Sequence, residues 1–176
     1  MIGEARIKQG RKSCKSSFLI VDAQSVKNTD SARGKGYDAG KKISGIKRHI
    51  AVDTQGLPHA FAVTAANVTD RNGALLAFEQ NRAELDEVES ILCDGSYSGK
   101  PFANSVKALL GERATVQVVK RNELHTFAVI PKRWVVERSF AWLEKQRRLW
   151  KNCERTFSTA LQFIILTFVA LLLRRL

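Results

Sequence analysis

Two short, unbroken apolar runs, Phe18-Leu19-Ile20-Val21 and Ile91-Leu92-Cys93, each stop at an aspartate, Asp22 and Asp94. A continuous apolar run of this length reads as a strand buried on both faces. Such strands sit inside a sheet with helices laid over it. An aspartate closing each run places a carboxylate where the core meets solvent. A third acid, Glu137, lies in the dense block Arg133-Trp134-Val135-Val136-Glu137-Arg138-Ser139-Phe140-Ala141-Trp142-Leu143, which reads as the start of a helix.

The remaining segments supply the cover. Residues 46–52 and 57–64 flank the turn Asp53-Thr54-Gln55-Gly56 and read as a β-hairpin. Thr69-Asp70 are helix-capping types, and Ala74, Leu75, Phe78 and Leu85 recur at roughly helical spacing, which predicts a helix from near Arg71. Residues 100–110 carry Pro101 in the first turn and Gly111 just past the end, a helix again. Residues 115–119 form a β-branched strand, residues 25–42 a glycine-rich loop, and residues 120–132 a basic, irregular stretch holding His125. Long helices start near Arg133 and Thr156. This order predicts an α/β fold: a mixed five-stranded sheet flanked by helices, with an extra C-terminal helix. Residues 1–17 read as a basic mobile arm or linker remnant, 18–155 as the domain, and 156–176 as an apolar helix packed on the domain or on a partner. If the first and fourth strands are neighbours, their carboxyl ends share the crevice that ligands favour in such sheets.

Charge narrows the partner. Lys and Arg number 29 against 17 Asp and Glu, a formal net charge of +12. That field attracts polyanions, DNA or RNA first among them; a ribosome-associated or membrane-surface protein shows the same balance. Cys14, Cys93 and Cys153 are scattered and odd in number, which fits a reduced, cytosolic chain, and His49, His59 and His125 form no zinc-like cluster. The basic start lacks the apolar core of a signal peptide. The apolar C-terminal segment falls short of the roughly 20 residues of a membrane span and has Gln162 inside it, so a buried or partner-facing helix is expected over a short tail anchor.

The acids then suggest a reaction. Two divalent ions can clamp the attacking and leaving oxygens of an in-line phosphoryl displacement, and hard cations such as Mg²⁺ take oxygen ligands. Asp22, on a central strand, suits the bridging position, with Asp94 and Glu137 serving one ion each. At about 100° per residue, Ala141, Glu144 and Arg148 share the face of Glu137, and Val136, Phe140 and Leu143 form the adjoining apolar stripe. Arg133, Arg138, Lys145, Arg147 and Arg148 surround the glutamate with charge suited to phosphates. Lys41, Lys42, Lys47, Arg48 and His49 either line a DNA channel or form a solvated strand edge. Asp53 and Asp70 are explained by a turn and a helix cap. Trp134 and Trp142 are expected in the core. Singly, an Asp before a Gly is a common turn residue and a helical Glu a common surface charge; only the three acids together point to chemistry.

Residues 18–27 (Phe-Leu-Ile-Val-Asp-Ala-Gln-Ser-Val-Lys), residues 36–49 (Gly-Tyr-Asp-Ala-Gly-Lys-Lys-Ile-Ser-Gly-Ile-Lys-Arg-His), Ala66-Asn67-Val68-Thr69-Asp70, Cys93-Asp94-Gly95-Ser96-Tyr97-Ser98-Gly99 and the block 133–149 resemble the DDE catalytic domain of bacterial insertion-sequence transposases, specifically the insertion-sequence-five group. The resemblance runs from about Phe18 to Cys153. It implies a ribonuclease-H-like fold, two Mg²⁺ (or Mn²⁺) ions held by Asp22, Asp94 and Glu137, and cutting and joining of DNA at element ends. It also implies work as a homo-oligomer or with an upstream DNA-binding partner chain, in a bacterial cytoplasm. The family signature places an Arg four residues before the glutamate, matched by Arg133. A Tyr three residues earlier is replaced by Ile130, and the basic residue seven after the glutamate by Glu144, so Lys145 or Arg148 takes over that strand contact. Members usually carry a helical DNA-binding region before the first catalytic strand; only residues 1–17 stand there, as expected of a truncated or frameshifted copy. The competing expectations are a ribonuclease-H-like nuclease acting by hydrolysis alone, an inactive chain that only binds DNA, and a small tail-anchored protein.

Overall fold

The strands, in chain order, are β1 (Phe18–Lys27), β2 (Gly36–Asp38), β3 (Ile43–Val52), β4 (Pro58–Ala65), β5 (Ser90–Asp94) and β6 (Thr115–Val119). The helices are α1 (Ile2–Lys8), α2 (Asp70–Gln80), α3 (Lys100–Leu110), α4 (Arg133–Glu144) and α5 (Phe157–Leu173). The structure, a computed structural model, describes residues 1–119 and 132–174. The basic stretch expected beyond β6, with His125 and Ile130, lies outside the described residues except for Lys132.

β1 is the hub of the sheet. It pairs antiparallel with β3, from Ile20 opposite Val52 to Lys27 opposite Gly45, and parallel with β5, from Phe18 beside Ser90 to Ile20 beside Leu92. β5 pairs parallel with β6, and β2 and β4 both pair with β3. Since Gly45 already faces Lys27 of β1, β2 and β4 share the outer edge of β3, end to end. Two details depart from the reading of the sequence. β2 adds a sixth strand inside the glycine-rich stretch. β1 does not stop at Asp22 but runs on to Lys27, because β3 offers it a partner along its whole second half.

The pleat of β1 divides the core. Leu19 and Val21, with Ile91 and Cys93 of β5, face α2 and α3 and meet Ala74, Phe78, Phe102 and Val106. Ile20 and Val26, with Leu92, face α4 and α5 and meet Val136, Phe140, Leu143 and Ile164. Alternation of side chains across a strand thus makes one layer of helices on each face. Thr69 caps α2, accepting a bond from the Asn72 amide at 3.3 Å, and Thr156 caps α5 through the Thr159 amide at 3.1 Å. Asp70 is therefore the first residue of α2 and not its cap.

α5 buries Ala160, Ile164, Phe168 and Leu172, and the Phe168 ring meets Phe61 of β4 at 5.7 Å between centroids. Burying Ile164, Phe168 and Leu172 contributes roughly 1.5–3 kcal/mol each, enough to hold the helix on the sheet. No helix among the described residues is long and apolar enough to cross a membrane.

The segment expected as a mobile arm holds α1, which is docked. Ala5 is fully buried beside Leu57 and Leu172, and the Arg6 guanidinium pairs with the buried Asp53 carboxylate while bonding Ser13 O at 3.3 Å and Lys15 O at 3.0 Å. Asp53 does shape the turn, accepting from the amides of Gln55 (2.8 Å) and Leu57 (3.0 Å), but it is also the anchor of the first helix.

His49 on β3 shows how closely α2 approaches. A Cβ at Gly73 would stand 2.0 Å from the imidazole, so only glycine fits there. The ring shares a hydrogen bond with Thr64 Oγ1 at 2.9 Å, and burial pushes its pKa from 6.5 down to about 4. Between those values the unfolded chain carries a proton on this residue and the folded chain does not. Stability is therefore unaffected by His49 above about 6.5 and falls as pH drops towards 4, by up to roughly 3 kcal/mol. Urea midpoints at pH 7 and 4.5 should differ less in His49→Asn than in the parent; equal differences would refute this account.

Candidate functional site

Asp94 closes β5, and continuing the parallel register two residues past Ile20 and Leu92 sets Asp22 beside it. Both lie in phase with Ile20 and Leu92, so both point to the face covered by α4. Local bonds fix each carboxylate by one oxygen. Asp22 Oδ1 accepts from the Ala23 amide at 2.7 Å; Asp94 Oδ1 accepts from the amide of Ser96 at 2.9 Å and from its hydroxyl at 2.5 Å. The Asp-Gly-Ser turn is thus a device for aiming a carboxylate, the role in which Asp side chains commonly serve turns. The Oδ2 atoms are left to face the crevice.

Glu137 comes from the first half of α4. Val135, Val136, Phe140 and Leu143 hold that helix on the sheet. Polar bonds fix its angle: Ser139 Oγ donates to Gly56 O at 3.1 Å, Arg138 donates to Gln55 O at 2.9 Å, and Gln24 of β1 donates to Glu144 Oε1 at 2.7 Å. Gln24 is two residues from Asp22 on the same face, so β1 grips both ends of α4. Neither Gln24 nor Ser96 stood out in the sequence. The Asp-Gly-Ser string carried a signal for Ser96; nothing local marks Gln24, whose partner is 120 residues away.

The three acids meet on one cation. Arg133 Nη2 lies 3.7 Å from Asp22 Oδ2 and 3.2 Å from Asp94 Oδ2, and Arg133 Nε lies 3.6 Å from Glu137 Oε1. The aspartates are mostly shielded, whereas the Glu137 side chain is 60% exposed. Burial pushes the Asp22 carboxyl up to about 6, with Asp94 adding to the rise and the Ala23 amide, Arg133 and Lys41 opposing it. Such a carboxylate is short of positive charge. No three acidic, histidine or cysteine side chains among the described residues stand close enough, as they are, to hold one metal ion. The arrangement is of three oxygen donors aimed at a common centre and spread around a guanidinium.

The basic residues divide sharply. Lys41 and Lys42, on the turn between β2 and β3, are exposed, and Lys41 Nζ reaches Ala23 O at 3.0 Å, beside Asp22. Lys145, just past α4, is exposed as well. Arg148 pairs with Glu154 at 2.5 Å and lies over the Phe163 ring. Arg138 is half-buried, stacked 4.7 Å from the Trp134 ring and 4.9 Å from that of Trp142. Lys47 and Arg48 correct the expectation of a DNA-lining pair, because both are buried with internal partners. Lys47 donates to Val68 O at 2.9 Å and pairs with Asp70 at 2.8 Å and Asp38 at 3.3 Å. Arg48 donates to Leu149 O at 2.6 Å, tying β3 to the segment after α4. His49, on the same strand, is buried too. Trp134 is half exposed at 51% and not a core residue, while Trp142 is partly buried against the α4–α5 core.

A family model described as "Transposase DDE domain" matches residues 13–173. A Burkholderia cepacia protein named "Putative transposase for insertion sequence element IS402" is 30% identical over 118 residues, which cover 63% of this chain and 54% of that protein. The chain thus spans about half the length of this curated relative. Among solved structures, a chain of the simian T-cell lymphotropic virus intasome in complex with PP2A regulatory subunit B56 gamma superposes with a TM-score of 0.53. The superposition covers 88% of this chain and 47% of that one, at 14% identity. At that identity the likeness speaks for the fold alone, the ribonuclease-H-like arrangement of a mixed sheet between helices.

Proposed function

The chain belongs to the family of transposase DDE domains, and from that premise we propose that it is the catalytic domain of a DNA transposase of the insertion-sequence-five group, cutting and joining the ends of its element. The observation that carries this reading is the convergence of Asp22, Asp94 and Glu137, from two parallel strands and a helix, on a single positive centre. The donor set suits Mg²⁺ or Mn²⁺: it is all oxygen, partly desolvated, and each aspartate is anchored by one oxygen while offering the other. Asp22, Asp94 and Glu137 would together hold the ions. Bound there, such ions supply charge neutralisation at the scissile phosphate and lower the pKa of an attacking water.

The residues of the chain do the rest by position. β1 and β5 hold the aspartates side by side, and α4 brings Glu137 across the crevice at an angle set by Ser139, Arg138 and Gln24. Lys41, whose Nζ reaches Ala23 O beside Asp22, and the exposed Lys42 and Lys145 would draw the DNA backbone towards the crevice. Water would cut at the element end, and the freed 3′-hydroxyl would then attack target DNA in a second in-line step. No side-chain nucleophile is required, so catalysis rests on positioning and electrostatics.

Labelled duplex carrying the inverted repeats that flank the gene tests this directly. With purified chain, Mg²⁺ should yield nicked ends and joined products, and EDTA neither. Hydrolysis without joining would reassign the chain to a nuclease; binding without either would leave only a DNA-binding domain.

A further inference from the structure

We propose that Arg133 is the resident counter-ion of the site and that divalent cations enter by displacing its guanidinium from among the three carboxylates. This rests on the metal-dependent reading above and concerns a step before any chemistry. Arginines committed to a structural bond look different in this chain. Arg48 sets Nη2 on Leu149 O at 2.6 Å, and Arg6 combines its ion pair with Asp53 with bonds to two carbonyls. Arginine bound to a single carboxylate typically closes two parallel bonds on it. Arg133 instead spreads over three carboxylates at 3.2–3.7 Å, and its buried Nε has no hydrogen-bond acceptor among the described residues.

Its place on the backbone makes the hold weaker still. Arg133 is the first residue of α4, and the positive end of a helix dipole opposes a cation there. Among the described residues, only the three acids hold its guanidinium in place. The aspartates, in contrast, are independently fixed, Asp22 by the Ala23 amide and Asp94 by Ser96, while the packing of α4 places the backbone of Glu137. The guanidinium can therefore leave while the aspartate oxygens stay. Without metal it prevents three converging carboxylates from repelling one another; once displaced, it stands at the rim of the crevice as a donor for a phosphate. As a positioning residue it competes with the ions for the same oxygens.

Isothermal titration of Mn²⁺ into the full chain tests this, using the parent, Arg133→Lys and Arg133→Gln. Removing one positive charge some 4 Å from the ligands, in partly screened surroundings, should tighten Mn²⁺ binding on the order of tenfold in Arg133→Gln. Arg133→Lys, with a smaller and more strongly hydrated head, should fall between it and the parent. In EDTA both variants should melt below the parent, and saturating Mn²⁺ should close the gap. Loss of a merely structural contact would not raise metal affinity. A parent that binds Mn²⁺ as tightly as either variant overturns the proposal, and the lysine variant alone decides it should the glutamine variant not fold. Asp22→Asn and Glu137→Gln, titrated alongside, separate the two ideas. If they lose Mn²⁺ binding while the arginine variants match the parent, only the role of Arg133 falls. If they retain parental binding, the metal site itself is elsewhere and both fall.

Discussion

Asp22→Asn and Glu137→Gln will each reduce cleavage and joining of element-end DNA by about a thousandfold or more, with DNA affinity close to the parent's. The size follows from the chemistry. A phosphodiester displacement without a side-chain nucleophile depends on charge neutralisation in the transition state, and losing even one preorganised electrostatic contact costs a factor on the order of 10²–10³. Asn preserves the shape of Asp22, and its amide oxygen can still accept from the Ala23 amide, so the strand is not disturbed. Gln on the exposed face of α4 leaves the buried Val136, Phe140 and Leu143 stripe untouched. Affinity for DNA comes mainly from phosphate contacts by basic residues, and removing an acid subtracts none of them. Rates of label conversion and gel-shift titrations at one fixed salt concentration provide the two readouts. Activity within tenfold of the parent, or a parallel collapse of binding, would remove these acids from the reaction.

The largest stability effect is expected far from those acids. Asp53→Ala should lower the unfolding free energy by about 3–5 kcal/mol, the range for breaking a buried ion pair on one side only. Arg6 would keep a buried charge with no counter-ion, and the amides of Gln55 and Leu57 would lose their acceptor. Asp53→Asn, which keeps an acceptor for the amides but loses the charge, should fall between the two. Urea midpoints decide it, and a loss below about 1 kcal/mol would mean that α1 is not held through this pair. The same turn receives Arg138 and Ser139 from α4 through Gln55 O and Gly56 O. Loosening it should therefore misplace Glu137 and lower activity by more than the unfolded fraction accounts for.

Much of this molecule is legible from short stretches of chain. The apolar runs before Asp22 and Asp94, the turn between β3 and β4, Thr69 ahead of α2 and Gly111 after α3 all report on structure within a few residues of themselves, because strand burial, turn geometry and helix capping are local physics. Asp94 was legible for the same reason, as a carboxylate closing a recognisable strand, and the motifs around Asp22, Asp94 and Glu137 pointed to the family. The destinations of the other charges were not. Lys47 and Arg48 read as exposed from composition, yet Arg48 finds a carbonyl at Leu149 and Lys47 finds Asp38, Val68 and Asp70. Arg6 and Asp53 lie 47 residues apart, and Arg133 reaches back to Asp22 across most of the domain. A charge is buried or exposed according to partners that only the closed fold brings within a few ångströms. Residue order alone therefore announced most of the elements and where the three acids stand along them, while the packing of distant segments decided which cations stay exposed, which are buried with internal partners, and which one lies among the three acids.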